Sequence, residues 1–213
     1  MDKFKAVIFD LDGTLIDSMG VWAKIDEEYL SSFGHEVPDN LQEEITHLTL
    51  TETANYFKVK FNIADEIHTI LDTWHKMALE HYSHNIKLKD NVIPFLDSLK
   101  KKNIKTALAT SNSVPLLEAT LKNNGIYEYF DAITTTEEVK KSKDNPDIYL
   151  LSAKKLNVLP EDCLVFEDIV QAVIGAKKAG MTVYAIYDKS SENQKDELVK
   201  LSDKYILGYD ELI

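Results

Sequence analysis

Residues Lys5 to Phe9 read KAVIF, a short apolar run that stops abruptly at Asp10. A run of this length, bounded by polar residues, reads as a strand buried on both faces. The pattern recurs at Lys105–Thr110, Cys163–Glu167 and Thr182–Ile186, and more weakly at Ala132–Thr135 and Tyr205–Leu207. Helical patterns lie between these runs. Val114–Asn123 opens with Pro115 near its first turn and stops before Gly125, and Ile169–Ala179 stops at Gly180. Strands alternating with helices of about ten residues imply an α/β fold with a parallel sheet covered on both faces. The chain of 213 residues is long enough for one such domain carrying a sizeable insertion. Its single cysteine, Cys163, offers no intramolecular disulfide, and a core of this size needs none.

The alternation breaks between Asp17 and His84, where no strand pattern stands out. Ser18 is placed to cap a helix with the apolar face Trp22, Ile25, Tyr29 and Phe33, and Gly34 follows its end. Ile63, Ile67, Ile70, Leu71, Trp74 and Ala78 repeat at helical spacing in a second long segment. Two shorter helices fit between Pro38 and Lys60. The chain therefore divides into an α/β core, residues 1–16 and 86–213, and an inserted helical module, residues 17–85. All six histidines fall in the insertion, at positions 35, 47, 68, 75, 81 and 84. His81-x-x-His84 comes nearest to metal-ligand spacing, but without cysteines or a regular ligand series the reading is surface histidines.

Charge narrows the partners. With 24 basic and 36 acidic residues the formal net charge is −12, which repels nucleic acid unless a basic patch stands out. The densest basic cluster, Lys100–Lys102 with Lys105, reads as the solvated C-terminal end of a helix. Every Lys/Arg position is lysine, so no guanidinium fork is available for an anion. A phosphate site in this chain must use lysine, backbone amides, hydroxyls or a metal. No stretch approaches the ~18 apolar residues of a membrane span, and the first apolar run is too short for a signal peptide. A soluble, cytoplasmic protein is expected; the sequence leaves its oligomeric state open, a monomer being plausible.

Four signals stand near strand ends, which converge on one crevice in a parallel sheet. The first is FDLDGT, with Asp10 and Asp12 two residues apart and Gly13 allowing a tight turn. Two neighbouring carboxylates repel, so a cation lies between them or one keeps its proton; a plain strand-capping turn is the alternative. The second is Thr110-Ser111-Asn112, which offers hydroxyls, an amide and backbone N–H groups ahead of a helix, either as an anion cradle or as a capping turn. The third is Lys143, in KKSKDNPD. The fourth is Glu167-Asp168, two acids suited to a hard divalent cation, with an N-cap role for Asp168 competing.

The order of these signals resembles the haloacid dehalogenase superfamily of phosphotransferases, over essentially the whole chain. The helical insertion after the first motif resembles the cap of its β-phosphoglucomutase-like and phosphoglycolate phosphatase-like branch. The resemblance implies a Rossmann-like parallel sheet core with an inserted four-helix cap, and a small phosphorylated metabolite as substrate. It implies Asp10 as nucleophile, forming an aspartyl phosphate, and Asp12 as acid and then base. Mg²⁺ would be held by Asp10, the Asp12 backbone carbonyl and Asp168, with Glu167 close by. Thr110 and Lys143 would hold the phosphoryl oxygens, with Ser111 and Asn112 completing that side.

Asp12 separates the chain from dehalogenases, which lack this second aspartate, and from transport ATPases, which carry threonine there. The resembling sugar-phosphate mutase has a histidine where Trp22 stands, and a cap arginine where Leu50 or Thr51 stands. Both departures favour a phosphatase over a mutase; a non-catalytic phospholigand-binding protein is the third reading. Trp22, Tyr29, Leu50, Thr51, His75 and Lys76 are candidates for setting specificity.

Overall fold

The computed structural model describes residues 3–45, 48 and 50–213. Its first half contains β1 (Ala6–Phe9), β2 (Ile16–Asp17), α1 (Val21–Ser32), α2 (Leu41–Ile45), α3 (Leu50–Lys60), α4 (Ile67–His84), β3 (Lys87–Leu88) and α5 (Val92–Lys101). The second half runs β4 (Lys105–Thr110), α6 (Val114–Asn123), β5 (Ala132–Thr135), α7 (Thr136–Val139) and α8 (Asp147–Leu156), then β6 (Cys163–Glu167), α9 (Val170–Lys178), β7 (Thr182–Ile186), α10 (Lys195–Leu201) and β8 (Lys204–Ile206).

Six strands form one sheet in the order β5-β4-β1-β6-β7-β8, with every neighbouring pair parallel. This is the α/β sheet that the apolar runs imply. β1 lies at its centre and is wholly buried, which is why KAVIF carries no alternation. Ala6, Ile8, Ala109 and Val165 pack in one core with Ile148, Tyr149 and Leu156 of α8 and Val173 and Ala176 of α9. An aromatic cluster also forms: Phe9 and Phe166 are register partners on β1 and β6 and stack at 5.3 Å, and Phe95 and Tyr209 pack against Phe166. Because Phe9 precedes Asp10 and Phe166 precedes Glu167, this packing ties the ends of the two acidic strands together.

Contacts divide the chain into two compact units, residues up to Met19 with Ile86–Ile213, and Gly20–Asn85. The second unit contains α1–α4. Tyr29, Phe57 and Trp74 form its aromatic core, with Trp74 at 5.6 Å from Tyr29 and 5.1 Å from Phe57 in edge-on contacts. Tyr29 is thus a packing residue, whereas Trp22, Leu50, Thr51, His75 and Lys76 are exposed.

Three local readings change. α1 begins at Val21 with Gly20 at its N-cap, because the Ser18 hydroxyl is bonded elsewhere, to Asp12. Asp17 closes the two-residue β2, which pairs antiparallel with β3; two residues are too few to leave a periodic signal. His81 is buried, with its ring nitrogens 3.1 Å from Glu28 Oε2 and 2.9 Å from Asn85 Nδ2. His68, His75 and His84 are exposed, His35 is half-buried, and His47 lies outside the described residues. Among the described residues no histidine joins a cluster able to hold a metal, and no helix is long and apolar enough to cross a membrane.

Candidate active site

Thr110, Asp10 and the pair Glu167-Asp168 stand at the C-terminal ends of β4, β1 and β6, three adjacent strands. The chain adds strands on one side of β1 and then returns to build the other side, so the crevice at these strand ends opens at a reversal of strand order. Pairing continues one step past β1, since the Asp10 N–H donates to the Phe166 carbonyl at 3.0 Å. The chain then turns tightly, and the N–H groups of Leu15 and Ile16 donate to the Leu11 carbonyl at 2.9 and 3.1 Å. Gly13 has φ +82°, and a side-chain carbon there would collide with the Asp168 carboxylate, 2.9 Å from its Cγ. Glycine is required both by the conformation and by the approach of the acid.

Lys143 comes from the loop between α7 and α8 and is buried, at 8% exposure. Its Nζ lies 2.6 Å from Asp10 Oδ1 and 2.6 Å from Glu167 Oε1. The position depends on a close approach: Gly175 of α9 faces the loop, where an added Cβ would overlap the Lys143 carbonyl oxygen. Burial works against the charge on Lys143, but Asp10 and Glu167 outweigh it and raise its pKa. Burial and repulsion from Asp10 push Glu167 up to about 7, against the opposing pull of Lys143. Burial, then Asp10 and Glu167, push Asp168 up to about 8. One lysine therefore does not neutralise this group of acids.

The residues present fit a hard divalent cation. Asp10, Glu167 and Asp168 each bring one oxygen into a group lying within 4.8 Å of one another. Glu167 Oε2 is buried without a hydrogen-bond partner, which is costly unless something positive faces it. An all-carboxylate donor set suits Mg²⁺ or Ca²⁺ rather than a softer metal.

Asp12 is half-buried and held differently. Ser18 Oγ donates to its Oδ1 at 2.6 Å, and Asn112 Nδ2 donates to its Oδ2 at 2.9 Å. Thr110 is buried, and its hydroxyl oxygen accepts the Asn112 N–H at 2.9 Å, leaving its proton for another acceptor. Ser111 is exposed at the mouth of this turn. The side-chain amide of Asn112 is thus engaged with Asp12. Ser18 and Tyr149, whose hydroxyl reaches Glu167 Oε1 at 2.8 Å, complete the site without having been singled out for it. Ser18 carries an equally good capping signal, and Tyr149 lies in a helix whose apolar spacing reads as core.

Comparison with known proteins gives the family. A family profile described as haloacid dehalogenase-like hydrolase matches residues 7–186. A phosphorylated carbohydrates phosphatase of Thermotoga maritima is 32% identical over 177 residues, 83% of this chain and 82% of the relative. A fructose-1-phosphate phosphatase of Escherichia coli is 30% identical over 185 residues, 84% of this chain and 95% of the relative. Among solved structures, a candidate β-phosphoglucomutase from Thermotoga maritima superposes with a TM-score of 0.85 at 28% identity, covering 97% of this chain and 95% of that one. With acids and lysine gathered at the ends of adjacent parallel strands and a family match spanning most of its length, the chain belongs to the haloacid dehalogenase-like hydrolases.

Proposed function

We propose that this phosphatase is Mg²⁺-dependent and cleaves small phosphorylated sugars or similar phosphomonoesters through a phosphorylated Asp10. The observation that carries the reading is the buried Lys143, held 2.6 Å from both Asp10 and Glu167 beside the third acid, Asp168. Asp10, Glu167 and Asp168 would hold Mg²⁺ through side-chain oxygens. When bound, the cation supplies charge neutralisation for the incoming phosphate and for its transfer.

The chain's own residues then divide the work. Asp10 is buried at the end of β1 and attacks phosphorus, displacing the alkoxide and forming an acyl phosphate. Lys143 sits against the nucleophile and balances charge on the transferring oxygens. Thr110 offers its hydroxyl proton to the same group. Asp12 protonates the leaving alkoxide, and its carboxylate then takes a proton from the water that hydrolyses the acyl phosphate. Ser18 and Asn112 each donate to one Asp12 oxygen, which fixes the orientation of the carboxyl group for both transfers. The sugar-phosphate class is supported by the names of the two phosphatase relatives.

Phosphate release from a panel of phosphorylated metabolites tests this, run with Mg²⁺, with EDTA and with Asp10→Asn. Release that needs both metal and Asp10 is expected, with sugar phosphates among the better substrates. Full turnover by Asp10→Asn would refute the mechanism. A mutase reading has the Thermotoga maritima structure in its favour. Isomerisation of a hexose 1-phosphate with a bisphosphate primer, in place of phosphate release, would establish it.

A further inference from the structure

Tyr149 lies in the third position of α8 and is fully buried among the apolar side chains that anchor this helix to the sheet. Its hydroxyl is 2.8 Å from Glu167 Oε1 and 3.1 Å from the Ala172 carbonyl oxygen in α9. A phenol has one proton to donate. If that proton went to Ala172, a phenol lone pair would face an ionised Glu167 oxygen at 2.8 Å, which is repulsive. When Glu167 is ionised, the proton therefore points at Glu167.

The same Glu167 oxygen also receives the Lys143 ammonium at 2.6 Å. Oε1 thus has two donors, while Oε2 is buried with none. A carboxylate fixed through one oxygen in this way cannot turn about its terminal bond without breaking two hydrogen bonds. Its other oxygen, Oε2, stays buried and open, on a carboxylate that brings one oxygen into the group with Asp10 and Asp168.

We propose that Tyr149 is a positioning residue that acts through Glu167, locking that carboxylate by Oε1 so that Oε2 serves the cation. This rests on the Mg²⁺ reading above and extends it to a residue one helix away from the acids. The phenol contributes no charge. It contributes direction, as outer hydrogen-bond partners of metal-holding groups commonly do.

The test is calorimetric titration of EDTA-stripped, full-length protein with MgCl₂, for wild type, Tyr149→Phe, Glu167→Gln and the double variant. Tyr149→Phe removes one oxygen and is expected to weaken Mg²⁺ binding by about tenfold. Its kcat should return to near the wild-type value at saturating Mg²⁺, because the altered quantity is the Mg²⁺ requirement. The double variant removes the phenol where the carboxylate it would direct is already an amide, and melting of every variant in EDTA separates misfolding from lost metal binding. It should bind Mg²⁺ as Glu167→Gln does. Wild-type affinity in Tyr149→Phe would overturn the proposal, as would further weakening in the double variant relative to Glu167→Gln. A wild-type protein that binds no Mg²⁺ would overturn the metal reading itself, and this inference with it.

Discussion

Gly175→Ala sets two physical effects against each other. Gly175 lies inside α9, where replacing glycine with alanine should by helix propensity alone stabilise the protein by about 1 kcal/mol. The packing argues the reverse. A Cβ at this position would overlap the Lys143 carbonyl oxygen and lie 2.9 Å from both the Lys143 carbonyl carbon and the Asn145 carbonyl oxygen. These are backbone atoms and cannot rotate away, so the helix or the loop must move by roughly 1 Å, a rearrangement costing about 1–3 kcal/mol or more. Lys178 Nζ also bonds the Asp144 carbonyl at 2.9 Å, so the same helix holds this loop at a second point. The net expectation is a loss of up to about 2 kcal/mol, or up to roughly 8 °C in Tm for a chain of this size. Function should suffer more than stability. Lys143 reaches Asp10 and Glu167 from this loop, and a displacement of about 1 Å at a catalytic group can cost on the order of 100-fold. Calorimetric melting together with kcat/KM for phosphate release would measure both. A variant that melts higher than wild type and keeps kcat/KM within about twofold would refute the reasoning.

Three further outcomes are expected. Lys143→Met leaves Asp10 and Glu167 buried without their cation and should cost about 3–5 kcal/mol in denaturant unfolding with EDTA at pH 8; the deficit should shrink toward pH 5, where Glu167 takes up a proton. For the metal-free wild type, Glu167 near 7 and Asp168 near 8 lie above their unfolded values, so the folded state binds more protons in between. Its stability is therefore greatest at the acid end of this window and should fall as pH rises from about 5 to 8, and saturating Mg²⁺ should flatten that slope; a Tm series in EDTA that rises over this range would contradict the sign. Ser18→Ala removes a donor to Asp12 and should lower kcat roughly tenfold with little change in KM, and Ser18→Thr should recover most of the loss.

Much of the scaffold was legible because burial leaves a local trace. The runs at Lys105–Thr110, Cys163–Glu167 and Thr182–Ile186 are strands over those same residues, and Val114–Asn123 is a helix, since Pro115 and Gly125 mark its limits in the sequence. The acids at positions 10, 167 and 168 stood out for a related reason. Each interrupts or closes an apolar run, where a charge has no packing purpose.

Which group each of them meets is another matter. Lys143 and Asp10 are 133 residues apart and Asn112 and Asp12 are 100 apart, and no periodicity relates them. Ser18 offered a sound helix cap and became a donor to Asp12, because the helix starts at Val21 and the chain reverses before it. Tyr149 and Gly175 look like an ordinary core aromatic and a weak point in a helix until α8 and α9 pack beside the Lys143 loop. The sequence by itself determined the parallel sheet and the acids at its strand ends, because hydrophobic period and residue type act over a few residues. Only the tertiary structure decided who holds Asp12, which oxygen of Glu167 is left open and how closely a helix can approach Lys143. Those depend on distances between distant segments, set by strand order and packing rather than by any local pattern.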